Sequence, residues 1–249
     1  MATQEKIAFI TGANRGIGLE TARGLGELGI TVLLGSRDPS KGKEAAEGLR
    51  KGGIKAEAVR FDVTSREDHK LLAEMLAKRF GQLDILINNA GIEREHADFG
   101  KPFNTTTSVS EAALRETFDT NFFSAVALTQ TLLPLIRVAP AGRIVNLSSI
   151  LGSLTLQSDP SSPIFNKKAF AYDASKTALN AFTVHLAEAL KGTNIKVNSA
   201  HPGWVKTELG GDAAPMEMSE GGRTSVQLAT LPDDGPTGGY FHLGERLPW

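Results

Sequence analysis

The 249-residue chain predicts an α/β fold with a doubly wound, seven-stranded parallel sheet and helices on both faces. Short aliphatic runs alternate with longer stretches of helical period, which is typical of repeated βαβ units. The runs IAFIT, TVLLG and DILIN are continuously apolar, as strands are when helices cover both faces of a sheet. No Pro/Gly/Ser-rich linker divides the chain, so residues 1–249 are predicted to form one domain.

The elements follow in order along the chain. The predicted strands span residues 6–11, 31–36, 56–62, 83–88, 143–148, 196–200 and 240–243. The predicted helices span residues 16–28, 40–51, 66–80, 110–136 and 172–190. Residues 93–109 have no regular element assigned, residues 153–169 are too rich in Ser and Pro for one, and residues 208–219 have the composition of a mobile lid.

Composition argues against several classes of partner. The chain has 27 Lys plus Arg against 28 Asp plus Glu, a formal net charge of -1, and no basic stripe, so we expect neither nucleic acid nor an anionic membrane surface as partner. It has no cysteine, and its five histidines show no metal-ligand spacing, so no metal site is predicted. The N-terminus lacks a signal-peptide pattern and no run approaches about 18 apolar residues. We therefore expect a cytoplasmic protein.

A glycine-rich turn, TGANRGIG, follows the first strand and opens a helix. Its glycines are Gly12, Gly16 and Gly18. Glycines let the backbone approach a pyrophosphate, and the helix N-terminus offers free N–H groups and positive dipole charge. The turn therefore predicts a Rossmann-type dinucleotide site, against the alternative that three glycines only make a tight connection.

The end of the second strand bears on which nicotinamide dinucleotide is bound. An acid there holds a free ribose 2′-OH, whereas Arg accepts a 2′-phosphate. The strand ends at Ser36-Arg37, with Asp38 just after it. Arg37 and Arg15 are two cations for a 2′-phosphate, each charge-assisted bond being worth roughly 1.5 to 3 kcal/mol. The sequence therefore predicts NADP(H), against the alternative that both arginines are solvated.

Tyr172 and Lys176 have the spacing of a proton-transfer pair. Residues four apart share one face of a helix, and AYDASKTALNAF reads as a helix. At about 4 Å and an effective dielectric of about 20, an ammonium attracts a phenolate by about 4 kcal/mol. We expect this attraction to bring the pKa of Tyr172 close to neutral pH, as a proton-transfer group requires.

Two further polar positions complete the predicted constellation. The strand GRIVNLSS ends with Ser148 and Ser149 at the sheet edge where open α/β folds bind ligands. A serine hydroxyl there can stabilise charge on a substrate oxygen, and Ser148 is the fallback for Ser149. Asn121 lies in an otherwise apolar stretch and needs buried partners.

The chain resembles the short-chain dehydrogenase/reductase family over nearly its whole length. The matching motifs are TGANRGIG, Asp62-Val63, Asn88-Asn89-Ala90-Gly91 and Pro202-Gly203, in family order. The resemblance implies a catalytic tetrad of Asn121, Ser149, Tyr172 and Lys176. It implies a cofactor-binding set of Gly12, Asn14, Arg15, Gly16, Ile17, Gly18, Ser36, Arg37, Asp62, Val63, Asn89, Ala90, Gly91, Tyr172, Lys176, Pro202, Gly203, Val205 and Thr207.

The resemblance also implies an activity. TGGYFHLGERLPW and HPGWVKT are similar to the NADPH-dependent carbonyl reductase branch, although Tyr172 follows Ser149 by 23 positions, more than in compact family members and fewer than in members with long insertions. We expect hydride transfer from NADPH to an aldehyde or ketone, with Tyr172 as proton donor and Asn121 holding a relay water. Leu151, Leu154, Phe165 and Trp204 are candidate lining residues for an apolar substrate.

Three alternatives remain open at this point. The same residues suit an NAD(P)-dependent dehydrogenase that oxidises a secondary alcohol. A non-catalytic dinucleotide sensor would need the turn but not the tetrad. A structural or nucleic-acid-binding module has little in the sequence to favour it. The chain is predicted to bind a small carbonyl or alcohol substrate, as a homo-oligomer or a monomer.

Overall fold

The computed structural model describes residues 5–95 and 102–249 and confirms the α/β fold. Its main sheet has eight strands in the order β3-β2-β1-β4-β6-β8-β9-β10. The strands are β1 Ile7–Ile10, β2 Thr31–Ser36, β3 Ala56–Arg60, β4 Ile85–Asn88, β5 Phe103–Asn104, β6 Arg143–Leu147, β7 Lys167–Lys168, β8 Lys196–Ala200, β9 Tyr240–His242 and β10 Glu245–Arg246. The helices are α1 Gly16–Glu27, α2 Pro39–Lys51, α3 Arg66–Arg79, α4 Glu111–Phe118, α5 Ser124–Val138, α6 Leu154–Ser158, α7 Phe170–Ala189 and α8 Arg223–Ala229.

The strand order places a ligand cleft between β1 and β4. From β1 the chain builds outward through β2 and β3, and then returns to the other side of β1 with β4, β6 and β8. All of these neighbours pair in parallel. Because the chain reverses its direction of winding at this point, the carboxyl ends of β1 and β4 leave a crevice open for a ligand.

Helices bury both faces of the sheet, as the apolar strand runs predict. One core lies under α1, α2 and α8, with Leu25, Leu49 and Leu228 among its members. The other lies under α3, α5 and α7 and includes Leu76 and Leu132. In the central strand β1, every residue from Ile7 to Ile10 is buried. The loops at the edge of the sheet are therefore the part that a ligand can reach.

The structure differs from the sequence prediction in several elements. The predicted seventh strand is present, but a two-residue strand, β10, follows it and pairs antiparallel to β9. The segment 153–169 is not irregular throughout, because it contains α6 and β7. The segment 93–109 contains β5, which pairs with β7, whereas residues 96–101, including His96, lie outside the described residues. Such two-residue pairings carry no periodic pattern that a sequence could reveal.

The predicted helix 110–136 is interrupted. A π-helical turn, Asp119–Phe123, separates α4 from α5. By length and composition alone the stretch Glu111–Val138 could cross a membrane, with mean hydropathy 1.2. One such helix is weak evidence, since core helices pass the same test, and α5 buries Leu128, Leu132 and Ile136 against the sheet.

Candidate active site

The glycine turn after β1 forms a cradle at the N-terminus of α1. Gly12 has φ +63°, a left-handed conformation that side chains disfavour. A Cβ on Gly18 would lie 2.5 Å from Asn89 Nδ2 and 2.7 Å from the Gly12 carbonyl oxygen, so only glycine fits. Arg15 precedes α1, and among the described residues no side chain caps this helix there. The first-turn N–H groups therefore suit the pyrophosphate of a dinucleotide.

Thr11 ties the glycine turn to the segment after β4. Its Oγ1 accepts hydrogen bonds from the N–H groups of Asn89 and Ala90, each at 2.9 Å. Asn89 Nδ2 in turn donates to the Thr11 carbonyl oxygen at 2.7 Å. The predicted residues Asn89, Ala90 and Gly91 thus lie beside the turn. Sequence reasoning missed Thr11, whose only signal is a polar residue at the end of an apolar strand.

The carboxylate that follows β2 caps a helix. Asp38 Oδ1 accepts the N–H groups of Ser40 at 2.9 Å and Lys41 at 3.1 Å, capping α2. Ser36 is buried and its hydroxyl donates to the Asp38 carbonyl oxygen at 2.8 Å. The hydroxyl of Ser36, which was predicted to contact the cofactor, is therefore hydrogen-bonded within the turn. Asp38 Oδ1 is hydrogen-bonded to the first turn of α2.

Arg37 lies near Asp62, at the end of β3. Burial works to raise the pKa of Asp62, but hydrogen bonds from Thr64 and the charges of Arg37 and Arg60 outweigh it and hold that pKa below its usual range. Val63 packs into the core, and its carbonyl oxygen bonds the His69 ring at 2.8 Å. Arg37, Asp62 and Val63 thus come together at the predicted adenosine end.

Arg15 has a partner that the sequence did not suggest. Its guanidinium pairs with Glu208, and the two side chains are 70% and 74% exposed. Thr207 contacts the same turn, since its Cγ2 would lie 3.9 Å from a Cβ on Gly16. The loop after β8 therefore reaches the phosphate turn. Asn14 lies half-buried in this turn, and Ile17 packs on the neighbouring core.

Ser149 and Ser148 face different neighbours at the end of β6. The side chain of Ser149 lies beside the phenol of Tyr172 and acts to lower the pKa of that phenol. Ser148 is buried, and its hydroxyl donates to the Lys176 carbonyl oxygen at 3.5 Å. The structure thus brings Ser149 to the tyrosine and leaves Ser148 against the backbone of α7.

The pKa of Tyr172 differs from the expectation. Burial raises it well above its ordinary value, a bond from Ser149 opposes the rise, and the nearby charges of Asp173 and Glu93 add to it. The Lys176 Nζ lies 5.6 Å from the centre of the Tyr172 ring. Desolvation therefore outweighs the attraction on which the prediction rested, and the phenol is neutral in this structure.

Lys176 lies in the core of the site. Its Nζ donates to the Leu147 carbonyl oxygen at 2.8 Å, and burial lowers its pKa to about 8. A Cβ on Gly91 would lie 3.3 Å from this nitrogen. The glycine therefore leaves room beside the ammonium, which keeps two further donors for a ligand.

Asn121 finds the buried partners that its sequence context requires. Its Oδ1 accepts the Ile92 N–H at 2.8 Å, while Nδ2 donates to the Ile92 carbonyl oxygen at 2.9 Å and to Ser175 Oγ at 3.0 Å. It lies in the π-helical turn, a feature often found at functional sites. Asn121 thus fixes the segment after β4 against α7.

An apolar cluster surrounds Tyr172. It includes the buried side chains of Leu151, Ile164 and Ala169. Of the other predicted lining residues, Phe165 is half-buried with Lys168 Nζ over its ring, and Leu154 is exposed. Trp204 is 39% exposed, and its Nε1 donates to the Gly210 carbonyl oxygen at 2.8 Å.

The loop after β8 carries the last predicted cofactor residues. Pro202 and Val205 are buried, and Gly203 has φ +92°. The residue before them, His201, accepts the Ile150 N–H on Nδ1 at 3.2 Å. Burial lowers its pKa to about 3, with His242 adding to the effect, so the neutral ring supports the turn directly after Ser149. Within the described ranges, no group of three or more acidic or histidine side chains could hold a metal ion.

Comparison with known proteins agrees with this geometry. The family model for short chain dehydrogenase matches residues 6–218. The chain is 32% identical to human carbonyl reductase (NADPH) 1, covering 100% of both chains, and 32% identical to (-)-isopiperitenone reductase of Mentha piperita, covering 99% of both. Among solved structures, NADPH-bound carbonyl reductase from chicken fatty liver has a TM-score of 0.84 at 28% identity, covering 99% of this chain and 100% of that one.

The chain belongs to the short-chain dehydrogenase family and has the family's fold. Within that family it belongs to the carbonyl reductase branch. A further solved structure, the carbonyl reductase Sniffer of D. melanogaster, has a TM-score of 0.81 at 29% identity over 99% of this chain and 100% of that one.

Proposed function

We propose that this protein is an NADPH-dependent carbonyl reductase, which converts an aldehyde or ketone to an alcohol. The observation that carries the proposal is the placement of the Ser149 side chain beside the Tyr172 phenol, where it acts to lower the pKa of that phenol, one helical turn from the buried Lys176. The carbonyl reductases of known sequence that align with the whole chain support the same activity. The proposed cofactor of this protein is NADP(H).

The residues around the cleft fit this cofactor. The N–H groups at the start of α1 face the position of a pyrophosphate, and Arg37 supplies a cation where a 2′-phosphate would lie. Asp38 Oδ1 is engaged in capping its own helix. When bound, NADPH supplies the hydride that reduces the carbonyl carbon.

Tyr172 donates the proton in the proposed reaction. Its pKa is raised by burial, so the phenol is protonated before the substrate binds, which is the form that a proton donor needs. Ser149, beside the same phenol, orients the substrate oxygen and stabilises the negative charge that develops on it. Reduction requires no prior ionisation of Tyr172, whereas oxidation of an alcohol would.

Lys176 and Asn121 have supporting roles for Tyr172 and Ser149 in the proposed reaction. Lys176 is held by the Leu147 carbonyl oxygen and presents its remaining N–H groups to the nicotinamide ribose. Asn121 holds the Ile92 backbone and Ser175, and its role in holding a relay water stays a prediction. The apolar cluster of Leu151 and Ile164 favours an apolar carbonyl substrate.

The test follows NADPH and NADH oxidation optically with a panel of aldehydes, aryl ketones, keto esters and diketones. Tyr172→Phe is expected to lower kcat at least about a hundredfold, the range of a lost general acid. Tyr240→Phe is the matched control, because Tyr240 is the chain's other tyrosine and its buried hydroxyl has no hydrogen-bond partner among the described residues. It is expected to keep wild-type kcat.

The outcomes separate the competing functions. Turnover in Tyr172→Phe equal to the wild-type rate would remove the central assignment. Turnover only with alcohols and NADP⁺ would favour the dehydrogenase. Tight NADPH binding without turnover on the panel would favour the dinucleotide sensor. Cytoplasmic location, the absence of nucleic-acid and membrane partners, and the oligomeric state stay predictions.

A further inference from the structure

The catalytic helix α7 begins without a cap of its own. The residue before it is Ala169, and its side chain carries no acceptor for the helix. The first N–H groups of a helix lack intrahelical partners and need acceptors from elsewhere. Phe170 and Tyr172 are in this first turn, so the backbone of the proposed proton donor depends on a distant group.

Two side chains from a loop on the other side of the cleft supply those acceptors. Glu95 Oε2 accepts the Tyr172 N–H at 2.9 Å. Thr105 Oγ1 accepts the Phe170 N–H at 2.9 Å and is itself hydrogen-bonded to Glu95 Oε1. The Glu95 carboxylate thus holds the first turn of α7 in two ways: it accepts the Tyr172 N–H directly, and it bonds Thr105, which accepts the Phe170 N–H. A carboxylate at a helix N-terminus is favoured by the helix dipole and by charge-assisted hydrogen bonding.

We propose that Glu95 is a positioning residue for Tyr172. It ties the first turn of α7 to the segment after β4, the same segment that Thr11 ties to the glycine turn and Asn121 ties to α7. The proton donor and the cofactor cleft are therefore fixed to one loop. This inference rests on the proposed function, because it assigns to Glu95 the placement of the proton donor of that reaction.

The surroundings of Glu95 fit a single negative charge. Asp173, next to Tyr172, is 8% exposed and accepts a hydrogen bond from Gln157 Nε2 at 3.0 Å. Burial and the charge of Glu95 raise the pKa of Asp173 to about 8, while Lys168 opposes the rise. Asp173 is thus largely protonated at neutral pH and adds little negative charge beside Glu95.

Two substitutions separate positioning from charge. Glu95→Gln keeps an oxygen for the Tyr172 N–H and an amide group that can donate to Thr105. Glu95→Leu is similar in size and removes both contacts. Glu111→Leu is the matched control, since Glu111 is an exposed acid in the first turn of α4.

We expect Glu95→Leu to lower kcat roughly ten- to hundredfold, as a misplaced catalytic group does, with the Kd for NADPH within about twofold of wild type. Glu95→Gln is expected to restore kcat to within about threefold of wild type, and Glu111→Leu to leave it unchanged. Hydrogen exchange at the first turn of α7 should accelerate by about an order of magnitude in Glu95→Leu only.

Wild-type kcat in Glu95→Leu, or an equal loss in Glu95→Gln, would overturn the inference. Should Glu95→Leu fail to fold, Glu95→Asp tests the same contact, because its shorter side chain does not reach the Tyr172 N–H, and the same outcomes apply. Activity retained in Tyr172→Phe would remove the proposed function, whereas hydrogen exchange would still report the cap. An inactive Tyr172→Phe beside a fully active Glu95→Leu would remove the inference alone.

Discussion

The Ser149 side chain lies beside the phenol of Tyr172 and acts to lower its pKa, while Ser148, one residue earlier, donates to the Lys176 carbonyl oxygen. Side chains of successive residues in an extended segment point to opposite sides. Ser148 also extends the ladder of β6, its N–H donating to the Ala200 carbonyl oxygen at 2.8 Å. Two adjacent serines at one sheet edge therefore have different neighbours, the phenol of Tyr172 for Ser149 and the backbone of α7 for Ser148.

This difference gives a paired prediction. Ser149→Ala is expected to lower kcat roughly 10²- to 10³-fold, because the hydroxyl that polarises the substrate oxygen is lost. Ser148→Ala is expected to keep kcat within a few-fold of wild type, since its 3.5 Å bond is internal to the fold. Initial rates with NADPH and thermal unfolding of both variants provide the test. An inactive Ser148→Ala beside an active Ser149→Ala would reverse the assignment.

Cofactor preference is expected to depend on Arg37. Arg37→Ala should reduce the ratio of NADPH to NADH efficiency roughly 10- to 100-fold, the worth of one charge-assisted bond. Asp38→Ala is the control, because its carboxylate caps α2. It should lower the free energy of unfolding by roughly 0.5–2 kcal/mol and leave the ratio unchanged. The measurement is kcat/KM with each cofactor at fixed salt, and an unchanged ratio in Arg37→Ala would contradict the phosphate role.

Asp173 gives stability a defined pH dependence. Its pKa in the folded protein is raised to about 8 by burial and by Glu95, so the folded state binds a proton that the unfolded chain releases above about pH 4. Its stabilising contribution is full below that pH and is lost as pH rises through 8. We therefore expect Asp173→Asn to melt roughly 4 °C or more above wild type at pH 9 and close to it at pH 4.

The matched control for this prediction is Asp234→Asn, because Asp234 is exposed. It should follow the wild-type melting temperature across the same pH series. A melting temperature of Asp173→Asn that stays parallel to wild type from pH 4 to pH 9 would mean that Asp173 does not carry the pH dependence.

Local patterns were sufficient for much of the fold. The residues that signal each of these elements lie within a few positions of one another in the chain. This holds for the apolar runs of β1, β2 and β4 and for the helical periods of α1, α3 and α7. The pairing of β5 with β7 was not predicted, because these two-residue strands are joined by contacts between residues more than sixty positions apart in the chain. The π-helical turn at Asn121 was also hidden, since its apolar pattern continues that of α4 and α5.

By itself, the sequence determined the α/β class and the glycine turn and predicted Ser149, Tyr172 and Lys176 as site residues, because each of these depends on residue type and short spacing. The tertiary structure alone decided how those residues are tuned. Burial, which no spacing reveals, raises the pKa of Tyr172 where the sequence predicted a lowering. Asp38 caps the adjacent α2, while contacts between distant segments pair Arg15 with Glu208 and place Glu95 on the Tyr172 N–H. The chemistry follows from residue type, whereas electrostatics and position follow from what the folded chain places around each group.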